Sequence, residues 1–391
     1  MSHAGCDRRA GLVTLFAMLT AGKSAAQAPP HDHLAGSDAA RRRHPAPATA
    51  IDSVGRARLL VEAESQLAAG DAMAAQDSFQ RAAMLLHSAD TECGIVRAQA
   101  QAGHYREALA FAAHAALAHR NFAAGAALYA WLLHVGGQAA IAQRVLDDAI
   151  RIAPDDVALR LAREQLRQAQ PRACGSLLAP PLRVAPYAYG PAQPPSTART
   201  AGTALLFDGG RGALVPTAIV GGSESIWIRN GLGNTVRATV VRRLDGIGLT
   251  RLQLAIPLPA PAPLLAVTRE PFAGSPGTTV EFVPGPGADA AWPLLYQGFL
   301  GRTIEPSMRR LGIEVPPGPR GGPVFDSAGR LAGIALAHGE GSDHWVPVAA
   351  IATAGAAWSP AAGAPAATAA IDVVYEAALH HTVQVLVSET S

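Results

Sequence analysis

The chain has 391 residues, of which 49% are hydrophobic and 16% charged, with a formal net charge of +2. That length implies two or three domains, and the apolar content excludes a mostly disordered chain. Its basic residues are scattered rather than striped, so nucleic acid is not expected as a partner.

At the N-terminus Arg8 and Arg9 precede a short apolar run from Leu12 to Ala21, followed by small residues from Ser24 to Ala28. This charged, apolar, small-residue order is that of an export signal, so residues 1–28 are expected to direct the chain to the periplasm or outside the cell. The run is too short to cross a bilayer, and no later segment is apolar for long enough to be a transmembrane helix. After signal removal the protein is therefore not expected to be integral to a membrane. Residues 29–53 carry prolines and no periodicity, and are expected to be disordered. Removal of the leader takes Cys6 and leaves Cys93 and Cys174, read as one buried thiol and one linker thiol.

From 54 to 170 proline nearly vanishes and apolar residues recur at helical spacing, as in Ile141, Val145, Leu146, Ala149 and Ile150. Gly70-Asp71, Gly103-His104 and Gly137-Gln138 mark turns 33 and 34 residues apart. After them come matched small residues: Ala75 and Ala82, Ala108 and Ala115, Ala142 and Ala149. Phe79 and Leu146 fill one bulky slot, and Pro154 ends the third copy. The pattern resembles tetratricopeptide repeats, which implies helical hairpins stacked into a short α-solenoid with a concave face for a protein or peptide.

Residues 171–200 are proline-rich and read as a linker or extended strap. From 201 to 358 the texture is β, with short Val, Leu, Ile and Thr runs between Gly and Pro. Strands are expected at 203–207, 225–229, 236–242, 250–256, 264–269, 278–283, 294–301, 322–326, 331–337 and 344–349. So many short strands indicate a closed architecture, because closure removes exposed edges. Residues 359–391 read as a linker and a C-terminal apolar segment packed on the body.

Three runs in the β region are similar to trypsin-like serine proteases of the bacterial periplasmic type. In Pro216-Thr217-Ala218-Ile219-Val220, Ile219 stands where that family has its general-base histidine. In the run from Val236 to Leu254, Gly248 takes the place of the orienting aspartate. In Gly318-Pro319-Arg320-Gly321-Gly322-Pro323, Arg320 replaces the nucleophilic serine. The resemblance implies a double β-barrel, and the overall class is α + β multidomain, solenoid first. It also implies that Gly318, Pro319 and Arg320 form the former oxyanion loop, and that Glu314 lies near the former specificity pocket as a partner for Arg320.

Catalysis needs a nucleophile, a base within reach and a carboxylate that orients the base. Ile219 has no titratable atom, Gly248 has no side chain, and Arg320 offers only donors. No histidine occurs between His134 and His338, and no lysine follows Lys23, so neither a shifted alignment nor a Ser–Lys pair restores the chemistry. No metal or cofactor is expected; His338 to His344 read as a solvated glycine-rich loop. These residues point to an inactive pseudoprotease that binds protein as an adaptor or scaffold. Active serine endopeptidase, substrate decoy and structural envelope-assembly protein are the other classes left open.

Overall fold

The computed structural model describes residues 52–223, 225–260, 263–337, 343–356, 361–362 and 367–388. The expected leader lies outside them, as do nearly all of 29–53 and residues 338–342 of the His338–His344 loop.

Seven helices come first: α1 (Ser53–Ala69), α2 (Ala72–Leu85), α3 (Ala89–Ala102), α4 (Tyr105–Ala118), α5 (Ala123–Val135), α6 (Ala139–Ile152) and α7 (Val157–Arg167). Three of the turns between them have one local cause. Gly70, Gly103 and Gly137 adopt φ of 85°, 90° and 82°, a region that side chains disfavour. In each, the glycine N–H and the next N–H reach back to two carbonyls of the preceding helix: Leu67 and Gln66, Ala100 and Gln99, His134 and Leu133. These are paired left-handed stops that satisfy orphan carbonyls. Asp71 then caps α2 by accepting from the Ala74 N–H. Each helix packs on the next, and α1 also meets α3, α3 meets α5, and α5 meets α7. The matched alanines sit at these contacts, with Ala75, Ala82, Ala108, Ala115 and Ala142 buried around Phe79 and Leu146.

Residues 171–198 form a fixed strap. The Tyr187 N–H donates to Gln101 Oε1 at 2.9 Å, and its hydroxyl donates to Glu64 Oε2 at 2.9 Å. Two residues on, Tyr189 exchanges backbone bonds with Gly233 and Thr235 at 2.9 and 2.8 Å. One side of the strap is thus tied to helices and the other to a strand.

The β region contains β1 (Arg199–Phe207), β2 (Gly212–Pro216), the one-turn α8 (Thr217–Val220), β3 (Ser225–Asn230), β4 (Thr235–Leu244), β5 (Leu249–Leu254), β6 (Leu265–Ala266) and β7 (Ser275–Glu281). It continues through β8 (Leu294–Glu305), β9 (Met308–Ile313), β10 (Pro323–Asp326), β11 (Leu331–Leu336), β12 (His344–Pro347), α9 (Val348–Thr353), β13 (Ala361–Ala362), α10 (Ile371–His381) and β14 (Thr382–Ser388). One sheet is a closed barrel in the order β1-β14-β3-β4-β5-β2. The other runs β10-β7-β8-β9-β12-β11-β6-β13, and an additional pairing joins β10 to β11.

The C-terminal apolar segment, expected to lie on the body, is a barrel strand: β14 inserts between β1 and β3, pairing Val383 with Ala204 and Val385 with Ile228. Its alternation explains why. Val383, Val385 and Val387 point into the barrel core with Ala204, Leu206, Val215, Ile228 and Leu252. The other core is shared between helices and sheet, since Trp131, Leu133 and Val135 of α5 belong to one buried cluster with Leu294, Phe325 and Tyr375. Cys93 is buried and Cys174 exposed, and both are free. Among the described residues no helix is long and apolar enough to cross a membrane.

Candidate functional site at the barrel seam

The loop from Pro316 to Gly322 enters the seam between the two sheets. Gly321 has φ of 151°, and a Cβ there would collide with the Thr203 carbonyl of β1 and come within 2.8 Å of Pro216 in β2. A Cβ on Gly322 would strike the Val280 carbonyl and lie 2.7 Å from the Glu281 carboxyl carbon. Close backbone approach on both sides therefore requires this glycine pair, whatever the chemistry of the neighbouring side chain.

The expected positions converge. A Cβ on Gly202 of β1 would meet Ile219 Cδ1 at 2.6 Å and Pro319 Cβ at 3.4 Å, so α8 and the glycine loop flank one point of the barrel wall. Gly248, left-handed at φ 66°, accepts the Thr217 N–H through its carbonyl at 2.9 Å. Ile219 is buried and packs into the barrel core.

Arg320 is 5% exposed and fully engaged. Its Nε donates to Asp343 Oδ2 at 2.8 Å, and Nη2 lies 2.8 Å from the same oxygen. Nη1 donates to the Gly318 carbonyl at 2.9 Å and Nη2 to that of Val315 at 3.0 Å. The partner is therefore Asp343, not the expected Glu314. Glu314 follows the end of β9 and is exposed, while Asp343, directly before β12, meets the guanidinium. The side chain also folds back onto the Gly318 carbonyl, within the run matched to the former oxyanion loop.

Sequence reasoning missed Glu281. This carboxylate at the end of β7 is buried, and both oxygens lie 3.1 Å from the Gly322 N–H. Thr279 donates to it at 3.3 Å. Burial pushes its carboxyl up to about 7, against the opposing pull of Thr203, the Arg320 charge and the Gly322 N–H. The signal was present in Thr278-Thr279-Val280-Glu281-Phe282, where an acid shares the face of a buried threonine. Other hydroxyls at the seam are also committed: Thr217 and Thr250 pair at 2.9 Å, and Thr203 accepts the Phe282 N–H at 2.8 Å. None of these bonds involves an imidazole.

A separate concavity of about 570 Å³ lies on the helical layer, lined by Leu60, Val61, Phe79 and Phe122 beside Pro180 and Pro181 of the strap. The face of α1 and α3 next to it holds Tyr187 of the same chain through Glu64 and Gln101.

No model of a known protein family and no curated protein sequence matches the chain. Among solved structures it is similar to the HtrA-type protease AlgW bound to a decapeptide, at 19% identity and a TM-score of 0.34 over 39% of this chain and 50% of that one. It is also similar to the Rv3671c protease of M. tuberculosis H37Rv in its inactive form, at 17% identity and a TM-score of 0.34, covering 41% of this chain and 86% of that one. A serine endoprotease from Yersinia pestis aligns at 18% identity and a TM-score of 0.32, over 40% of this chain and 61% of that one. The chain thus spans half the length of the AlgW chain it matches.

Proposed function

We propose that the protein is an exported, catalytically inactive counterpart of trypsin-like serine proteases that binds protein as an adaptor or scaffold. Its reading as a tetratricopeptide-type solenoid joined to a trypsin-like double barrel belongs to this proposal. One observation carries it: Arg320, at the position matched to the family's nucleophile, is a buried arginine bonded to Asp343 and two carbonyls. A guanidinium in that state neither attacks a carbonyl nor takes up a proton. Ile219 and Gly248, at the base and orienter positions, supply nothing that could activate a substitute. The glycines are explained by packing alone, so their retention does not argue for chemistry.

Because Tyr187 occupies the inner face of α1 and α3, the docking surface assigned to a partner is the neighbouring concavity at Leu60, Val61 and Phe122. Its apolar floor and Pro180–Pro181 rim suit hydrophobic side chains of an unfolded or extended segment. The experiment has two arms on the purified full-length chain. A fluorophosphonate serine probe is expected to leave it unlabelled, and unfolded casein to remain uncleaved. Fluorescently labelled unfolded casein is expected to bind, with binding weakened by Val61→Asp. Casein cleavage abolished by one point substitution would overturn the inactive reading, and absence of any casein binding would overturn the scaffold reading. Restoring Arg320→Ser is expected to give no hydrolysis, since base and orienter stay absent.

A further inference from the structure

Glu92, in the first turn of α3, is the least expected carboxylate in the molecule. Its side chain is 1% exposed, yet neither oxygen receives a hydrogen bond. The N-terminal turn of a helix favours negative charge, but only by a fraction of what burying a carboxylate costs. Arg97, a turn and a half further along α3, is committed to Glu64. What surrounds Glu92 instead is imidazole. His87 Nε2 lies 2.6 Å from Oε1, His119 Nε2 lies 3.3 Å from Oε2, and His114 Nε2 lies 3.7 Å from Oε1. Although close, these contacts lack hydrogen-bond alignment, and His119 Nε2 is itself buried without a partner.

We propose that His87, Glu92 and His119 form a binding site for a divalent transition-metal ion, and that Zn²⁺ is the ion this donor set suits. Donor atoms of the three residues all lie within 4.8 Å of one another. Tetrahedral zinc, with bonds of about 2.0–2.2 Å, places neighbouring donors about 3.4 Å apart, so the exposed His87 ring draws back slightly from Oε1 while the wider separations close around one ion. The cation supplies the charge that the buried carboxylate otherwise lacks. Two imidazoles and one carboxylate leave a fourth position for water, or for His114 on the exposed side.

The ligands are held before any ion arrives. Arg56 bonds both Asp90 oxygens at 2.6 and 2.8 Å and Ser88 Oγ at 2.6 Å, and Thr91 Oγ1 donates to the Ser88 carbonyl at 2.7 Å. These contacts fix the turn between His87 and Glu92. His119 ends α4, and its carbonyl accepts the Phe122 N–H at 2.8 Å. An ion there would staple the α2–α3 turn to the end of α4, joining two consecutive helical hairpins. This site is separate from the barrel seam, but its α2–α3 turn, through Ser88, Ala89 and Asp90, borders the concavity assigned to a partner.

The test uses the full-length chain, stripped with EDTA and titrated with ZnCl₂ by calorimetry, with the thermal midpoint read in parallel. One tight equivalent and a raised midpoint are expected, and His87→Ala and His119→Ala should each weaken binding at least about tenfold. A His31→Ala/His33→Ala control, in the N-terminal segment, should leave the tight equivalent unchanged. His87 is exposed, so its variant decides the question even if His119→Ala fails to fold. A chain that takes up no zinc, or whose tight equivalent survives His87→Ala, overturns the site, and so does loss of that equivalent in the control.

Discussion

Arg320 is a buried cation neutralised by one carboxylate, and two measurements probe that arrangement. Removing Asp343 leaves the guanidinium charged in the seam, so Asp343→Ala is expected to cost about 3 kcal/mol in urea denaturation. Adding Arg320→Met to that variant removes the stranded charge and should recover part of the loss; an equal loss in both would show the pair to be uncoupled. Glu281 adds a pH signature. Its carboxyl sits at about 7 when folded against an ordinary 4.5, so between these values the folded state holds a proton the unfolded state has lost. That stabilisation is complete below 4.5 and disappears as pH rises through about 7. Buried His134, pushed down to about 4 from 6.5, acts oppositely, since its unfolded form binds the extra proton as pH falls. The wild-type profile therefore partly cancels, and the useful quantity is wild type minus Glu281→Gln. That difference should fall by about 3 kcal/mol from pH 4.5 to 8, and a flat difference would mean that Glu281 is already ionised at low pH. Neither the Arg320–Asp343 pair nor the Gly322–Glu281 contact could be read from local sequence. Asp343 lies 23 residues away and Glu281 lies 41 residues from Gly322, distances that only strand pairing closes.

Among elements, those governed by local chemistry were readable, and those defined by distant pairing were not. Glycine turns at 70, 103 and 137 announced themselves because a left-handed stop needs only a few consecutive residues. Strands with alternating apolar residues were also readable. β9 was not, because Met308-Arg309-Arg310-Leu311 carries two adjacent arginines, and β14 was read as a surface segment because nothing local says which edge it joins. The His87, Glu92 and His119 cluster was invisible for a related reason: its members come together only when α3 folds against α4. Turn glycines give the cleanest element-level prediction. Gly103 and Gly222 have similar φ, 90° and 85°, but a Cβ on Gly103 falls on the His380 ring of α10, whereas one on Gly222 meets nothing within 4 Å. Gly222→Ala should thus cost only the backbone term of about 1 kcal/mol. Gly103→Ala should cost about 2 kcal/mol, because the His380 ring must give way as well. Equal urea midpoints for the two variants would refute the idea that α10 bears on the helical turn.

At the scale of the whole molecule, helices and β region share a buried core. Tyr105 of α4 meets Tyr375 of α10 edge-on at 4.5 Å between ring centres, and their hydroxyls donate to Leu132 and Pro293 carbonyls at 2.9 and 2.8 Å. Glu376 accepts the Arg106 N–H at 2.8 Å. Thus α10 grips the helices while β14, which follows it directly, closes the barrel, and the strap binds both from the other side. Helices sharing their buried face with a barrel cannot keep that face dry once the barrel opens. Far-ultraviolet circular dichroism, dominated by the helices, and tryptophan fluorescence of a Trp131→Phe variant, which removes the α5 tryptophan, should therefore report one coincident urea transition. Deleting the chain from Thr382 onward is the sharper trial. It opens the barrel by exposing the edges of β1 and β3 that β14 covers, and frees α10 from its anchor, so cooperative unfolding should vanish in both signals. Survival of a separate helical transition would mean that residues 52–170 hold their own core, and that α10, β14 and the strap only decorate it.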